Sequence, residues 1–234
     1  MAVNRIGIPV EEDLTADARE MIRSGDVAAL RALLAADPSR ATARPDGART
    51  LLHVATDWPG HFPAVAETIA ALVEAGADVD ARFRGEHAET PLHWAASSGD
   101  VAALDALLDA GARIDAPGAV IAGGTPLDDA VAFGQWEAAR RLVARGAAVG
   151  FRHAAALGLP DQVTVTGQEE LDTAFWYACH GGQRRIAELL LERGAAVDRE
   201  PPWEPVTPME AALRQGFAEL AGWLRERGAV SRRS

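Results

Sequence analysis

The sequence predicts an all-α solenoid of about seven helix-turn-helix units, one of them truncated, with short β-turn loops between them. The first observation behind this prediction is a Gly-Ala pair that follows a leucine-rich run and recurs at spacings of 35, 35, 48 and 34 residues. The second is a threonine that precedes four of these glycines by 21 residues. Recurrence at such a period is typical of stacked units that bury their hydrophobic faces against their neighbours. The glycines of the pairs are Gly76, Gly111, Gly146, Gly194 and Gly228.

Each repeat carries the sequence signals of two short helices. Three of the four threonines are followed by proline, which suits a helix start because the threonine side chain can accept a backbone N–H and proline needs no acceptor. Acidic residues three positions later, Asp128 and Glu210, complete a capping-box pattern. A glycine such as Gly99 ends the first helix, and leucines at helical spacing, such as Leu104 and Leu107, mark the second. The threonines are Thr90, Thr125, Thr173 and Thr207.

The four segments that begin at these threonines align without gaps and resemble the ankyrin-repeat family. The unit of this family, about 33 residues long, has two antiparallel helices, a β-turn loop and a T-P-L-H-x-A signature. The signature stands as TPLHWA around His93 and nearly so as TLLHVA around His53, with looser matches in TPLDDA, TAFWYA and TPMEAA. The resemblance is to stand-alone ankyrin-repeat proteins of bacterial type, and it covers most of the chain. It implies that His53 and His93 are structural and bond backbone between units, and it implies no specific activity.

Two irregularities interrupt the repeat. Thr50 and Gly76 are 26 residues apart, so the segment TDWPGHFPAVAE contains a five-residue insertion between the two helices of that unit. The stretch from Gly146 to Thr173 is also long and contains AAALG, which indicates a degenerate, shortened unit. We therefore predict a single domain over residues 1–234, with units near 16–49, 50–89, 90–124, 125–148, 149–172 (shortened), 173–206 and 207–229.

Composition limits the partners and the compartment. The chain has a net charge of −11 and no lysine, so all 23 of its basic residues are arginine. An acidic chain does not suit phosphate recognition, and nucleic acid is therefore not expected as a partner. The lone cysteine, Cys179, cannot form an internal disulfide, and the sequence shows neither an apolar leader at its N-terminus nor an apolar run long enough to span a membrane. We expect a cytoplasmic protein without a membrane contact.

The sequence contains no motif that indicates catalysis. The six histidines form no HExxH-like pair, and nucleophile-elbow, dinucleotide-binding and phosphate-loop patterns are missing. Cys179 and His180 are neighbours on a predicted helix, where adjacent side chains point about 100° apart, so they make a poor nucleophile–base pair. We predict that the protein is not an enzyme and has no catalytic residues, no metal site and no cofactor.

The candidates for partner binding are large or charged residues on the predicted concave face and at the loop tips. Large apolar groups at such places are typical anchors of protein interfaces. Some of them have a second interpretation: Trp176 and Tyr177 would instead fill space left by the shortened unit, and Trp203 would be a packing lid among its neighbouring prolines. The candidates are Phe83, Arg84, Trp94, Val120, Ile121, Asp129, Phe133, Trp176, Tyr177 and Trp203.

These observations favour a protein-binding scaffold or regulator that acts through its concave face and loop tips and is a monomer. Because the net charge is −11, a basic protein is the favoured partner. The alternative is a small-molecule-binding or enzymatic solenoid with a pocket around residues 151–180, since breaks in a regular repeat often carry function. A deep cavity near Trp176, Tyr177 and His180 would favour this alternative, and a filled core there would oppose it.

Overall fold

A computed structural model of the chain describes residues 11–231, with side chains from residue 16 onward. Within this range all regular structure is helical, and the prediction of an all-α fold is confirmed. The first ten residues, which bear on the expectation about export, lie outside the described range. No helix inside it is long and apolar enough to cross a membrane. The chain divides into two compact parts that each contain several repeats, residues 1–142 and 143–234. We call these parts the first unit and the second unit.

The first unit consists of pairs of contacting helices separated by loops. Its helices are α1 Glu11–Ser24, α2 Val27–Ala36, α3 Leu51–Ala55, α4 Val65–Glu74, α5 Pro91–Ser98, α6 Val101–Asp109, α7 Pro126–Ala132 and α8 Trp136–Ala144, the last of which contains the boundary between the units. A 3-10 helix, Pro38–Thr42, follows α2. The inner helices contact one another in the order α1, α3, α5, α7, and the outer helices in the order α2, α4, α6.

The core of the first unit lies between these inner and outer layers. Leu52 and Leu92 of the inner helices and Leu72 and Leu104 of the outer helices are fully buried. Ala95 is also fully buried, and its small side chain allows neighbouring inner helices to approach closely. Helices this short are marginal on their own in water, so their stability comes from contact with the next pair.

The predicted capping boxes are present. The Thr125 N–H donates to Asp128 Oδ2 at 2.7 Å, and the Asp128 N–H donates in return to Thr125 Oγ1 at 3.4 Å. Thr207 and Glu210 make the same reciprocal pair, at 3.0 and 3.3 Å. Each box satisfies backbone donors that the first turn of a helix leaves without partners.

The two signature histidines are structural, as the resemblance implies. His53 Nδ1 accepts the Thr50 N–H, so His53 Nε2 is the nitrogen that donates, and it faces the carbonyl of Glu89, the last residue before the next repeat, at 3.2 Å. His93 Nε2 faces the Gly124 carbonyl in the same way at 3.3 Å. Burial lowers the pKa of both imidazoles to about 4, which keeps them neutral near pH 7.

The insertion between α3 and α4 is held against the following repeat. The N–H of His61 donates to Asp100 Oδ2 at 2.5 Å, while Asp100 Oδ1 accepts the Ala103 N–H at the start of α6. Gly60 has a φ of +73°, and a side chain there would press on Ser98, so glycine suits both the turn and the close approach. These contacts fix the loop that presents Trp58, whose side chain is 82% exposed.

The second unit contains the shortened repeat. Its helices are α9 Phe151–Leu157, α10 Gln168–His180, α11 Arg184–Glu192, α12 Pro208–Arg214 and α13 Ala218–Glu226. A 3-10 helix, Pro160–Gln162, stands after α9 where other repeats have an outer α-helix. α10 packs against α9, α11 and α12 and is therefore the central helix of this unit.

The start of α10 differs from the other repeats. α10 begins at Gln168, upstream of Thr173, although Thr173 aligns with threonines that begin helices elsewhere. Thr90, Thr125 and Thr207 are followed by proline, which disfavours a helical conformation in the residue before it, whereas Ala174 follows Thr173. Glu170 accepts the Thr166 N–H at 2.8 Å and stabilises the earlier start.

Candidate partner-binding groove

A groove of about 320 Å³ opens on the first unit, between the inner helices α3, α5 and α7 and the loops that follow α4 and α6. We call it the acidic-aromatic groove, because its walls contain both aromatic rings and carboxyl groups. It is lined by Thr56, Asp57, Trp58, Phe83, His87, Glu89, Trp94, Ser97, Ser98, Val120, Asp129 and Phe133.

The rings of the groove are positioned by one another. Phe83 and Trp94 lie with ring centroids 5.5 Å apart, and the Trp94 ring meets the structural His53 edge-on at 5.0 Å. Trp58 and Phe133 complete the wall and are 82% and 51% exposed. Rings held in place like those of Phe83 and Trp94 have little conformational entropy left to lose on binding.

Asp129 is the most unusual polar group in the groove. It lies on α7, is only 2% exposed, and its buried Oδ1 has no hydrogen-bond partner. Burial, reinforced by the nearby charges of Glu89 and Asp128, raises the pKa of this carboxyl to about 8. The native protein therefore holds Asp129 largely protonated near neutral pH unless a cation enters the groove.

Glu89 is the second buried carboxyl of the groove. It lies near the end of the loop between α4 and α5 and is almost fully buried. Burial raises its pKa, while the Trp94 indole, as a hydrogen-bond donor, and His87 act in the opposite direction. Asp57, the third acid of the lining, is already paired with Arg49 at 2.5 Å. Glu89 and Asp129 are thus the two acids of the groove that no arginine of the described residues pairs with.

The structure brings together half of the residues that the sequence singled out for binding. Those in the groove are Phe83, Trp94, Val120, Asp129 and Phe133. Arg84 and Ile121 lie in the same loops and are exposed, but they do not line the groove. Sequence reasoning did not select Trp58 or Glu89. Trp58 lies inside the detected insertion, which is the signal that could have identified it; Glu89 sits in a charged loop that looks solvated in sequence.

The remaining aromatic candidates form a cluster in the second unit. Trp176 and Tyr177 on α10 are buried, and Trp176 Nε1 donates to the Val206 carbonyl at 2.9 Å. The ring of Trp176 stacks on His180 with centroids 5.1 Å apart. Trp203, 45% exposed, meets Trp176 edge-on at 6.0 Å and lies 5.9 Å from Tyr177. These contacts favour the interpretation of Trp203 as a packing lid.

The same rings occupy the region in which the alternative hypothesis places a ligand pocket. Trp176, Tyr177 and His180 are packed together there, and the hollow beside Trp176 measures about 170 Å³, below the size of typical ligand pockets. Cys179 is fully buried, and burial raises the pKa of its thiol, so it is a poor nucleophile. Among residues 16–231, whose side chains the structure describes, no group of three is placed to hold a metal ion.

Replacing Trp203 with alanine is expected to lower the free energy of unfolding by about 1–2 kcal/mol, because the ring covers Trp176 and Tyr177. Urea titration followed by circular dichroism measures this loss. The matched control is Trp58→Ala, which removes the same side chain from an exposed loop and should change stability by less than about 0.5 kcal/mol. Equal midpoints and slopes for the Trp203 variant and the wild type would contradict the lid interpretation.

Comparison with known proteins agrees with the observed architecture. A family model described as ankyrin repeats (3 copies) matches residues 66–153, and one described as ankyrin repeat matches residues 170–200. Together the two matches cover just over half of the chain. No curated protein matches it in sequence.

Among solved structures, the chain is similar to the crystal structure of the human ASB11 ankyrin repeat domain. The two are 27% identical with a TM-score of 0.54, and the match covers 92% of this chain and 85% of the human one. Since 426 solved chains match, the fold is widely shared and does not identify a partner.

Proposed function

We propose that this chain, which belongs to the ankyrin-repeat family, is a protein-binding scaffold or regulator that docks its partner in the acidic-aromatic groove. Ankyrin repeats are generally scaffolds for protein interactions. The observation that carries the proposal is the convergence of Trp58, Phe133 and Val120, all exposed, around the buried carboxyl of Asp129. Aromatic anchors around a desolvated centre are the usual composition of an interface hot spot.

The rim of the groove belongs to the proposed binding surface. Arg84 and Ile121 are exposed in the two loops that supply the groove with Phe83 and Val120, so a protein seated in the groove would meet them first at its edge. Contacts at such a rim chiefly exclude water from the centre. We further propose a monomeric, cytoplasmic binder without enzyme activity or cofactor, and the buried lone thiol of Cys179 is consistent with a reducing compartment.

The experiment that tests the proposal uses the full chain as bait in an extract of its native cells. The bait is compared with Phe133→Ala, which removes a groove ring that is 51% exposed, and with Leu213→Ala, a control that removes a 43% exposed side chain from α12. We expect a protein that the wild type and the Leu213 variant retain and the Phe133 variant loses. Equal retention of every protein by the two variants would contradict docking in the groove.

A further inference from the structure

We propose that the acidic-aromatic groove recognises the guanidinium group of an arginine side chain on the partner protein. This inference rests on the proposed function and specifies its chemistry. It is argued from the unpartnered carboxyl of Asp129, the charge of the lining and the kind of donor that fits between aromatic rings.

The first step concerns the unpaired oxygen of Asp129. Buried polar atoms in native proteins almost always have a hydrogen-bond partner, so a buried carboxyl oxygen without one indicates a missing donor. The carboxyl lies in the groove wall. Rotation about χ2 of aspartate is broad and two-fold, so either oxygen of the group can face an incoming donor.

The second step concerns charge. The groove lining holds three acids and the histidine His87, and none of its residues is an arginine. Asp57 already has its partner in Arg49, which leaves the two buried carboxyls, Glu89 and Asp129, for a cation from outside. Burial first, and repulsion by Glu89 and Asp128 second, now favour protonation of Asp129, and a cation there would offset the repulsion. The net charge of −11 would also draw a basic segment toward this surface.

The third step selects the cation. A quaternary ammonium group can lie among aromatic rings, but it has no N–H to donate to Asp129. A lysine ammonium can donate, yet it is compact and strongly hydrated, which makes transfer into a ring-lined groove unfavourable. A guanidinium is planar and weakly hydrated, carries five N–H donors and stacks on rings such as Trp94 and Phe133. It alone of the three meets both the rings and the carboxyl groups.

The chain uses the same pairing within its second unit. The Arg227 guanidinium lies 4.1 Å from the centroid of the Trp223 ring, and Arg152 lies 5.9 Å from that of Trp203. Guanidinium groups thus lie over indole rings in this protein itself, with both arginines exposed and the rings of Trp223 and Trp203 buried and half-exposed. In the groove the ring and two carboxyl groups would act on one guanidinium together.

The test is a titration of the ¹⁵N-labelled full chain with N-acetyl-arginine amide, followed through the indole N–H signals in NMR spectra. We expect the signals of Trp58 and Trp94 to shift in a saturable way. N-acetyl-citrulline amide, which has the same shape without the charge, should bind at least ten-fold more weakly. Asp129→Asn should weaken arginine binding at least ten-fold, whereas Asp109→Asn, the same substitution at the exposed end of α6, should leave it within two-fold.

Three results would overturn the inference: unchanged Trp58 and Trp94 signals, tighter binding of N-acetyl-trimethyllysine amide than of the arginine compound, or equal affinity in the Asp129 variant. The outcome is separable from that of the proposed function. A partner that depends on Phe133 but is not displaced by arginine amide would keep the groove as a docking surface and overturn the arginine assignment. Saturable arginine binding with no Phe133-dependent partner would support the site and contradict the protein-docking role.

Discussion

Replacing Asp129 with asparagine is expected to give a protein whose stability advantage over the wild type grows by about 3 kcal/mol between pH 5 and pH 8. The physical reason is the burial of the carboxyl, reinforced by Glu89 and Asp128, which raises its pKa from 3.8 to about 8 in the native state. The unfolded chain gives up this proton near pH 4, while the native protein keeps it until about pH 8. Wild-type stability from this group is therefore complete below pH 4 and is lost as the pH rises toward 8.

The measurement is urea unfolding of both proteins at pH 5 and pH 8. The signature histidines act in the opposite direction: because the native pKa values of His53 and His93 are about 4, their contribution to stability is lost as the pH falls from about 6.5 toward 4. That effect is common to both proteins and cancels in their difference. Asp109→Asn should differ from the wild type by the same amount at both pH values. A pH-independent difference for Asp129→Asn would show that Asp129 is ionised in the native state at pH 5.

The expected gain in stability bears on why an acid stands at this position. A buried carboxyl without a hydrogen bond destabilises the free protein, and a strongly perturbed acid in a cleft is a candidate functional group. The variant should thus be more stable and, on the arginine proposal, a weaker binder. Opposite effects of one substitution on stability and on affinity are typical of residues kept for function.

The regular features of the fold could be predicted because they depend on neighbours in sequence. Capping boxes such as Thr125 with Asp128 are set by residues three positions apart, and the structural role of His53 follows from its place in a recurring motif. The early start of α10 also has a local signal, the absence of proline after Thr173. This signal can be seen only when Thr173 is aligned with the threonines of the other repeats.

The groove could be predicted only in part, because it depends on contacts between repeats. Asp129 could be identified as a candidate because it aligns with Trp94 of the preceding repeat, and an acidic residue is unusual where the other repeat has an aromatic one. No sequence pattern marks Glu89 as buried. Its burial depends on the position of its loop beside Trp94 and not on the period of the repeat. The place of Trp58 in the groove could be predicted only if the contact between the insertion and Asp100 were known, and this contact joins residues far apart in sequence. Long-range packing of this kind leaves no pattern in a single sequence.

Replacing Gly181 with alanine is expected to lower the free energy of unfolding by about 3 kcal/mol, because the new methyl group would overlap the backbone carbonyl of Ala156. Gly181 ends α10 where this helix crosses α9, and the buried alanines of α9 bring the two backbones close together. The φ of Gly181 is −87°, which alanine adopts without strain, so the loss would be purely steric. Backbone atoms cannot move aside as a flexible side chain would.

The matched control is Gly222→Ala in α13, where an added methyl group meets nothing within 4 Å. That variant should be about 0.5–1 kcal/mol more stable than the wild type, since alanine is the better helix former. Urea unfolding of the three proteins under one condition therefore gives opposite signs for the same chemical change at two glycines of one unit. Equal stability of the Gly181 variant and the wild type would contradict the close approach of the α9 and α10 backbones at Gly181 and Ala156.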